Sequence, residues 1–242
     1  MSADDGSPGY DTGYDSSADP HGPDVGADGE RLDYRALPQR FRSAGTLPEL
    51  VGLVRAYGWL PPFAAVAVCG LASGLFQFLS GPYSIANGYF FTGWPAALLI
   101  NVFFGFFLTG FFWFLYFGVI GAVTGFFAED VAIDKGIFQI GGYLLLVFVP
   151  ALLLGGLLAA TIPPSVVTAG SQTPEARIAV QRALAATVQM QLAGVLLAAA
   201  WVVVGFLLIP LVAQLYGVSR KVSVGAVLPV TLLTVVVTLL VI

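Results

Sequence analysis

Between Arg55 and Glu129 the chain runs 73 residues without one Asp, Glu, Lys, Arg or His. Shorter uncharged runs follow at 136–174, 183–219 and 222–242. A helix crossing a bilayer needs about 20 largely apolar residues. The first run therefore holds two crossings and each later run holds one, which predicts five spans near 59–79, 96–127, 137–162, 190–216 and 222–242. The class is all-α, a polytopic membrane helix bundle, because a chain in lipid has to satisfy its backbone polar groups internally. Charged residues make up only 10% of the 242 residues and mean hydropathy is +0.87. Soluble domains carry about 25% charged residues. That contrast excludes a soluble enzyme and a nucleic-acid binder, and the lone Cys69 excludes an internal disulfide.

The low isoelectric point belongs to one end of the chain. Residues 1–30 hold eight carboxylates and no Lys or Arg. Asp, Gly, Ser and Pro dominate there, a composition too poor in apolar groups to offset the entropy of ordering. Segment 1–45 is thus read as a disordered cytoplasmic tail, acidic and then basic, and 46–242 as the membrane domain. The repeat GYDTGYD around Tyr10 and Tyr14 is read as part of this solubilising tail, with docking or modification as the alternative. Only two of the ten basic residues are Lys, and with the Asp-rich tail this usage suits a high-salt cytoplasm, as in a haloarchaeal source.

Residues 31–57 mix Arg31, Arg35, Arg40 and Arg42 with Leu32, Leu37 and Phe41. Thr46 and Glu49 have capping-box spacing, so a helix is expected to start near Leu47. Leu47, Leu50, Val51 and Val54 form an apolar stripe that would let this helix lie in the headgroup layer. Further on, Thr173, Pro174 and Glu175 read as N-cap, N1 and acidic first turn of a helix feeding the fourth span. Pro210 is expected to kink that span. Loop 80–95 carries Tyr83, Tyr89, Phe90, Phe91 and Trp94, suited to an interfacial aromatic belt.

Five spans place the N-terminal segment, loop 128–136 and loop 217–221 on one side, with eight basic residues. The other side has two, Arg177 and Arg182. The positive-inside rule then sets the N-terminus in the cytoplasm and Ile242 outside.

Catalysis in a membrane needs an activated nucleophile, an acid–base group or a metal. No ionisable carboxylate, amine, guanidine or imidazole falls in a predicted span, and Ser73 and Ser80 have no base beside them. Glu129, Asp130 and Asp134, next to Lys135, are the one carboxylate cluster. They lack His or Cys neighbours and EF-hand spacing, and are read as a solvated loop rather than a cation site. No catalytic, cofactor-binding or metal-binding residue is assigned, and the chain is expected not to be an enzyme. Asn101, Gln77, Gln139, Gln189, Gln191 and Gln214 are expected to bond between helices. Gly70 and Gly74, like Gly121 and Gly125, have the GxxxG spacing that permits close helix approach. Packing within one chain is the preferred reading, with a homo-oligomer through these faces as the alternative.

Three stretches carry a resemblance. The first is the amphipathic, Pro-containing segment from Thr46 to Trp59. The second, EDVAIDKGIFQIGGY, holds Lys135, Gly136, Phe138 and Tyr143 ahead of Pro150. The third, LYGVSRKVSVGAVLPV, holds Leu215, Tyr216, Gly217, Ser219, Arg220, Lys221 and Pro229. Together they make residues 46–242 resemble the Yip family, the five-span, Ypt/Rab-interacting membrane proteins. The resemblance implies a five-span fold and a non-enzymatic scaffold or adaptor role, with the lipid bilayer and an unidentified membrane or cytoplasmic protein as partners. A transporter or channel for a small neutral or lipidic solute is the alternative function.

Overall fold

A computed structural model describes residues 33–81, 93–128, 133–163 and 174–241. Residues 1–32 of the tail expected to be disordered, most of the aromatic loop 80–95, Glu129, Asp130 and Thr173 lie outside the described residues. The rest of that tail, 33–45, is not without structure, since it holds a helix at Leu37–Ser43 opened by Pro38 in its first turn. Every regular element among the described residues is helical. The helices are α1 (Leu37–Ser43), α2 (Leu47–Ala56), α3 (Leu60–Ser80), α4 (Trp94–Phe127) and α5 (Gly136–Leu144). A 3₁₀ turn (Leu145–Val147) leads into α6 (Phe148–Ala159), followed by α7 (Pro174–Ala185), α8 (Val188–Tyr216) and α9 (Arg220–Val241). Five helical segments are long and apolar enough to cross a membrane: Leu60–Ser80, Trp94–Phe127, Gly136–Ala159, Val188–Tyr216 and Arg220–Leu240. Each lies within three residues of its expected limits.

The ends of these helices follow from local chemistry. Before α2, the Glu49 N–H donates to Thr46 Oγ1 (3.4 Å) and Glu49 Oε2 accepts from the Gly45 N–H (2.9 Å). This is the expected capping box, with its return bond one residue earlier than usual. The third span is not one uniform helix. Pro150 has no N–H to offer the carbonyl four residues back, that of Leu146, and the helix tightens to 3₁₀ at Leu145–Val147. The helix begun at Pro174 does not run into the fourth span. It stops at Ala185, and Thr187 starts α8 afresh, extended at ψ 144° with its hydroxyl accepting from the Met190 N–H (3.3 Å). α8 continues through Pro210 to Gly217, whose φ of 63° makes a left-handed stop that suits glycine.

Glycine sets the closest contact in the bundle. An added Cβ on Gly70 would stand 2.9 Å from Phe106 Cα, and one on Gly74 would meet the backbone of Val102 and Asn101. One on Gly105 would stand 2.5 Å from the Gly70 carbonyl oxygen. The Gly70–Gly74 face is therefore filled by α4 of the same chain. Gly121 faces inward too, where an added Cβ would lie 3.0 Å from Tyr216 Oη.

The antiparallel register of Gly70 on Phe106 and Gly74 on Val102 brings the first turn of α3 level with Tyr116. α4 then continues to Phe127, about 16 Å further at 1.5 Å per residue. Over that stretch it packs on α9, tied by the bond between Tyr116 Oη and Thr231 Oγ1 (2.7 Å), and on Ile137 of α5 and Tyr216 of α8. The bundle is thus staggered, leaving a step below the start of α3. α2 packs into that region against α5 and α8. Val51 and Val54 are buried there, and Leu50 packs on the core. Val51 and Val54 of the α2 stripe therefore face protein, while Leu47 at its start stays exposed.

The core centres on Trp113, 1% exposed. Its ring packs against Trp59, Phe63 and Phe138, and its Nε1–H donates to the Phe138 carbonyl (2.9 Å). Phe117, Ile120, Val204, Leu208 and Val212 fill the bundle beyond it. The outer face of α4 remains apolar from Leu99 and Phe103 to Phe126 and Phe127.

Candidate functional site

Three segments far apart in sequence meet at one end of the bundle. Arg55, at the C-terminal end of α2, donates to Asp134 Oδ2 in an ion pair of 2.5 Å. Asp134 Oδ1 accepts from the Gly136 N–H (2.7 Å), closing the first turn of α5. The Asp134 N–H donates to Tyr216 Oη (3.2 Å), at the last residue of α8. Packing reinforces the junction, since Gly136 is buried where an added Cβ would strike Leu215 and approach Arg55. The N-terminal segment, the α4–α5 loop and the α8–α9 turn thus share one end, as the five-span count requires. Each Asp134 carboxylate oxygen thus has a partner, Arg55 for Oδ2 and Gly136 for Oδ1. Among the described residues no group of three His, Cys, Asp or Glu gathers to hold a metal.

The pair is partly exposed, with side chains 49% and 28% accessible, so solvent screening leaves it worth less than about 1 kcal/mol. Its effect is local. Asp134→Asn keeps the Oδ1 acceptor for Gly136 and removes the charge. The variant is expected to unfold within about 1 kcal/mol of the parent chain while amide exchange in α2 accelerates. Unchanged exchange in α2 would show that Val51 and Val54 alone hold the helix down.

Inside the spans the buried polar side chains among the described residues are all neutral: Asn101, Thr124, Gln139, Ser223 and Thr231. Two of the amides bond within their own helices. Asn101 Nδ2 donates to the Ala97 carbonyl of its own helix (2.8 Å), and Gln77 Nε2 donates to Ser73 within α3 (3.5 Å). Bonds between spans run from Tyr116 to Thr231, from Trp113 to the Phe138 carbonyl, and from the Ser223 hydroxyl to the Ile209 carbonyl. Hydroxyls and an indole are short or rigid enough to be held at a close helix crossing. Nothing in their linear spacing marks which partner they meet.

Among the described residues two buried polar side-chain atoms have no partner: Gln139 Oε1 and Tyr143 Oη. They stand four residues apart on α5 and share a face with Gly136. The α1–α2 segment covers this face, with Arg55 near Gly136 and the Phe41 ring 5.0 Å from that of Tyr143. Leaving such atoms unpaired costs about 1–3 kcal/mol each.

Comparison with protein-family models, with curated proteins and with solved structures gave no match. The chain is an integral membrane protein by its five apolar helices.

Proposed function

We propose that this chain is a non-enzymatic membrane scaffold or adaptor of the Yip type, organising protein or lipid partners. The observation that carries this reading is the contrast between interior and end. The interior is filled by Trp113, Phe117, Ile120, Leu208 and Val212, and its buried polar groups are neutral. Acid–base catalysis and ion coupling both rely on an ionisable group inside the membrane. The charges gather instead at the end where α2, the start of α5 and the turn after α8 are tied together. A rigid charged platform on an inert bundle suits a docking role. The eight-to-two distribution of basic residues supports a cytoplasmic location for that end.

The test is affinity capture from native membranes with the full chain and with a chain lacking residues 1–45. A scaffold retains a stoichiometric partner whose recovery changes when the charged segment is removed. Solute flux in reconstituted liposomes, absent from empty ones, would overturn the scaffold reading. The unpaired Gln139 Oε1 and Tyr143 Oη favour that second reading, a transporter of a small neutral solute, because they offer hydrogen bonds without charge. Flux abolished by Gln139→Leu would establish it.

A further inference from the structure

The described cations are distributed unequally between the two ends of the bundle. Arg35, Arg40, Arg42, Arg55, Lys135, Arg220 and Lys221 lie at the end where α2 meets α5 and α8. Arg182, in α7 just ahead of α8, lies at the other. Arg55 is consumed by Asp134, the one ion pair among the described residues. The remaining six at this end are exposed. The neighbouring carboxylates are occupied locally: Asp33 Oδ1 accepts from the Arg35 N–H (2.9 Å) and Glu49 Oε2 from the Gly45 N–H. Glu129 and Asp130 fall in the adjoining loop, and from residue 33 onward this end still has seven basic groups against five acidic ones.

A second observation sets these cations beside hydrocarbon. The exposed apolar face of α4 runs on to Phe126 and Phe127, 78% and 57% accessible. By the register of Tyr116 on Thr231, Phe127 is level with Arg220 at the start of α9. Cations bordering the edge of a lipid-facing surface stand where phosphates of the adjacent leaflet lie.

We propose that Arg35, Arg40, Arg42, Lys135, Arg220 and Lys221 form a belt that binds the headgroups of anionic phospholipids. The belt recognises negative phosphate-bearing headgroups and does not distinguish acyl chains. Position at the rim of an apolar membrane face favours lipid over an acidic protein. The acidic segment 1–30 is the intramolecular competitor for the same cations, so the test uses the full chain.

The chain is reconstituted into phosphatidylcholine vesicles, and the fraction of motionally restricted spin label is read for labelled phosphatidylglycerol and labelled phosphatidylcholine. Each surface cation contributes about fivefold in attraction to anionic lipid. Phosphatidylglycerol is therefore expected to associate at least about fivefold more strongly than phosphatidylcholine. The quadruple variant R40Q/R42Q/K135Q/K221Q, which leaves Arg35 and Arg220, is expected to lower the ratio by at least about fivefold, while R40K/R42K and R182Q keep it. The pairs R40Q/R42Q and K135Q/K221Q, made separately, each lower the ratio and serve if the quadruple variant does not fold. Equal association of the two lipids with the unaltered chain overturns the proposal and leaves a protein or the acidic tail as occupant. A ratio that survives neutralisation, or falls equally in R182Q, overturns it as well. Neither result bears on solute flux, so failure here is distinct from failure of the scaffold reading.

Discussion

Gly105→Ala is expected to destabilise the bundle by about 3 kcal/mol, and Gly105→Leu to prevent α3 and α4 from docking. The reason is the nature of the neighbours. The new Cβ would stand 2.5 Å from the Gly70 carbonyl oxygen and press on the Gly74 backbone. Flexible side-chain ends can yield to such a methyl, but two helix backbones cannot without separating along their length. Association of helices in lipid relies on close van der Waals packing, since lipid tails are as apolar as the side chains. Separation would therefore cost the whole α3–α4 interface. Thermal unfolding in detergent measures the loss, and Gly110→Ala is the control, because an added Cβ there meets nothing within 4 Å. Equal stability of the two variants would show that α3 and α4 do not cross at Gly105.

Trp113→Ala carries the second large effect, about 3–5 kcal/mol. The indole is 1% exposed and touches Trp59 at the entry to α3, Phe63 one turn inside it and Phe138 in α5. Its removal leaves a cavity where three spans meet. Trp113→Phe separates the two contributions. It restores most of the volume and omits the bond from Nε1 to the Phe138 carbonyl, so about 1 kcal/mol should remain lost. A Phe variant as unstable as the Ala variant would assign the effect to the hydrogen bond instead of the packing.

Both predictions rest on features that spacing alone conveys poorly. The spans were legible because charge is excluded from lipid, and gaps between charges are a one-dimensional signal. The α2 start was legible because its cap is made by Thr46 and Glu49, three residues apart. Gly70 and Gly74 were legible as a pair. Gly105, which lies directly against them, has no GxxxG partner to mark it, and its role depends on a register set by another helix. The α2 stripe was read as facing headgroups because amphipathicity identifies an apolar face and not its partner. The step that receives Val51 and Val54 exists only once α4 outruns α3. The end of α7 at Ala185 was hidden for a different reason. Thr187 can either continue a helix or cap one, and its extended backbone decides. At the charged end, Arg55 and Asp134 were both visible as charges flanking spans. Their pairing across 79 residues was not, because it depends on where α2 lies.

The order of crossings is the claim on which the charged platform and the lipid belt both stand. Accessibility reporters at Glu30, Asn87, Ala132, Gly170 and Arg220 in intact cells test it directly. The account predicts cytoplasmic, external, cytoplasmic, external, cytoplasmic. A reporter at Ala132 on the opposite side from Glu30 and Arg220 would contradict it, because Arg55, Asp134 and Tyr216 could not then meet at one end.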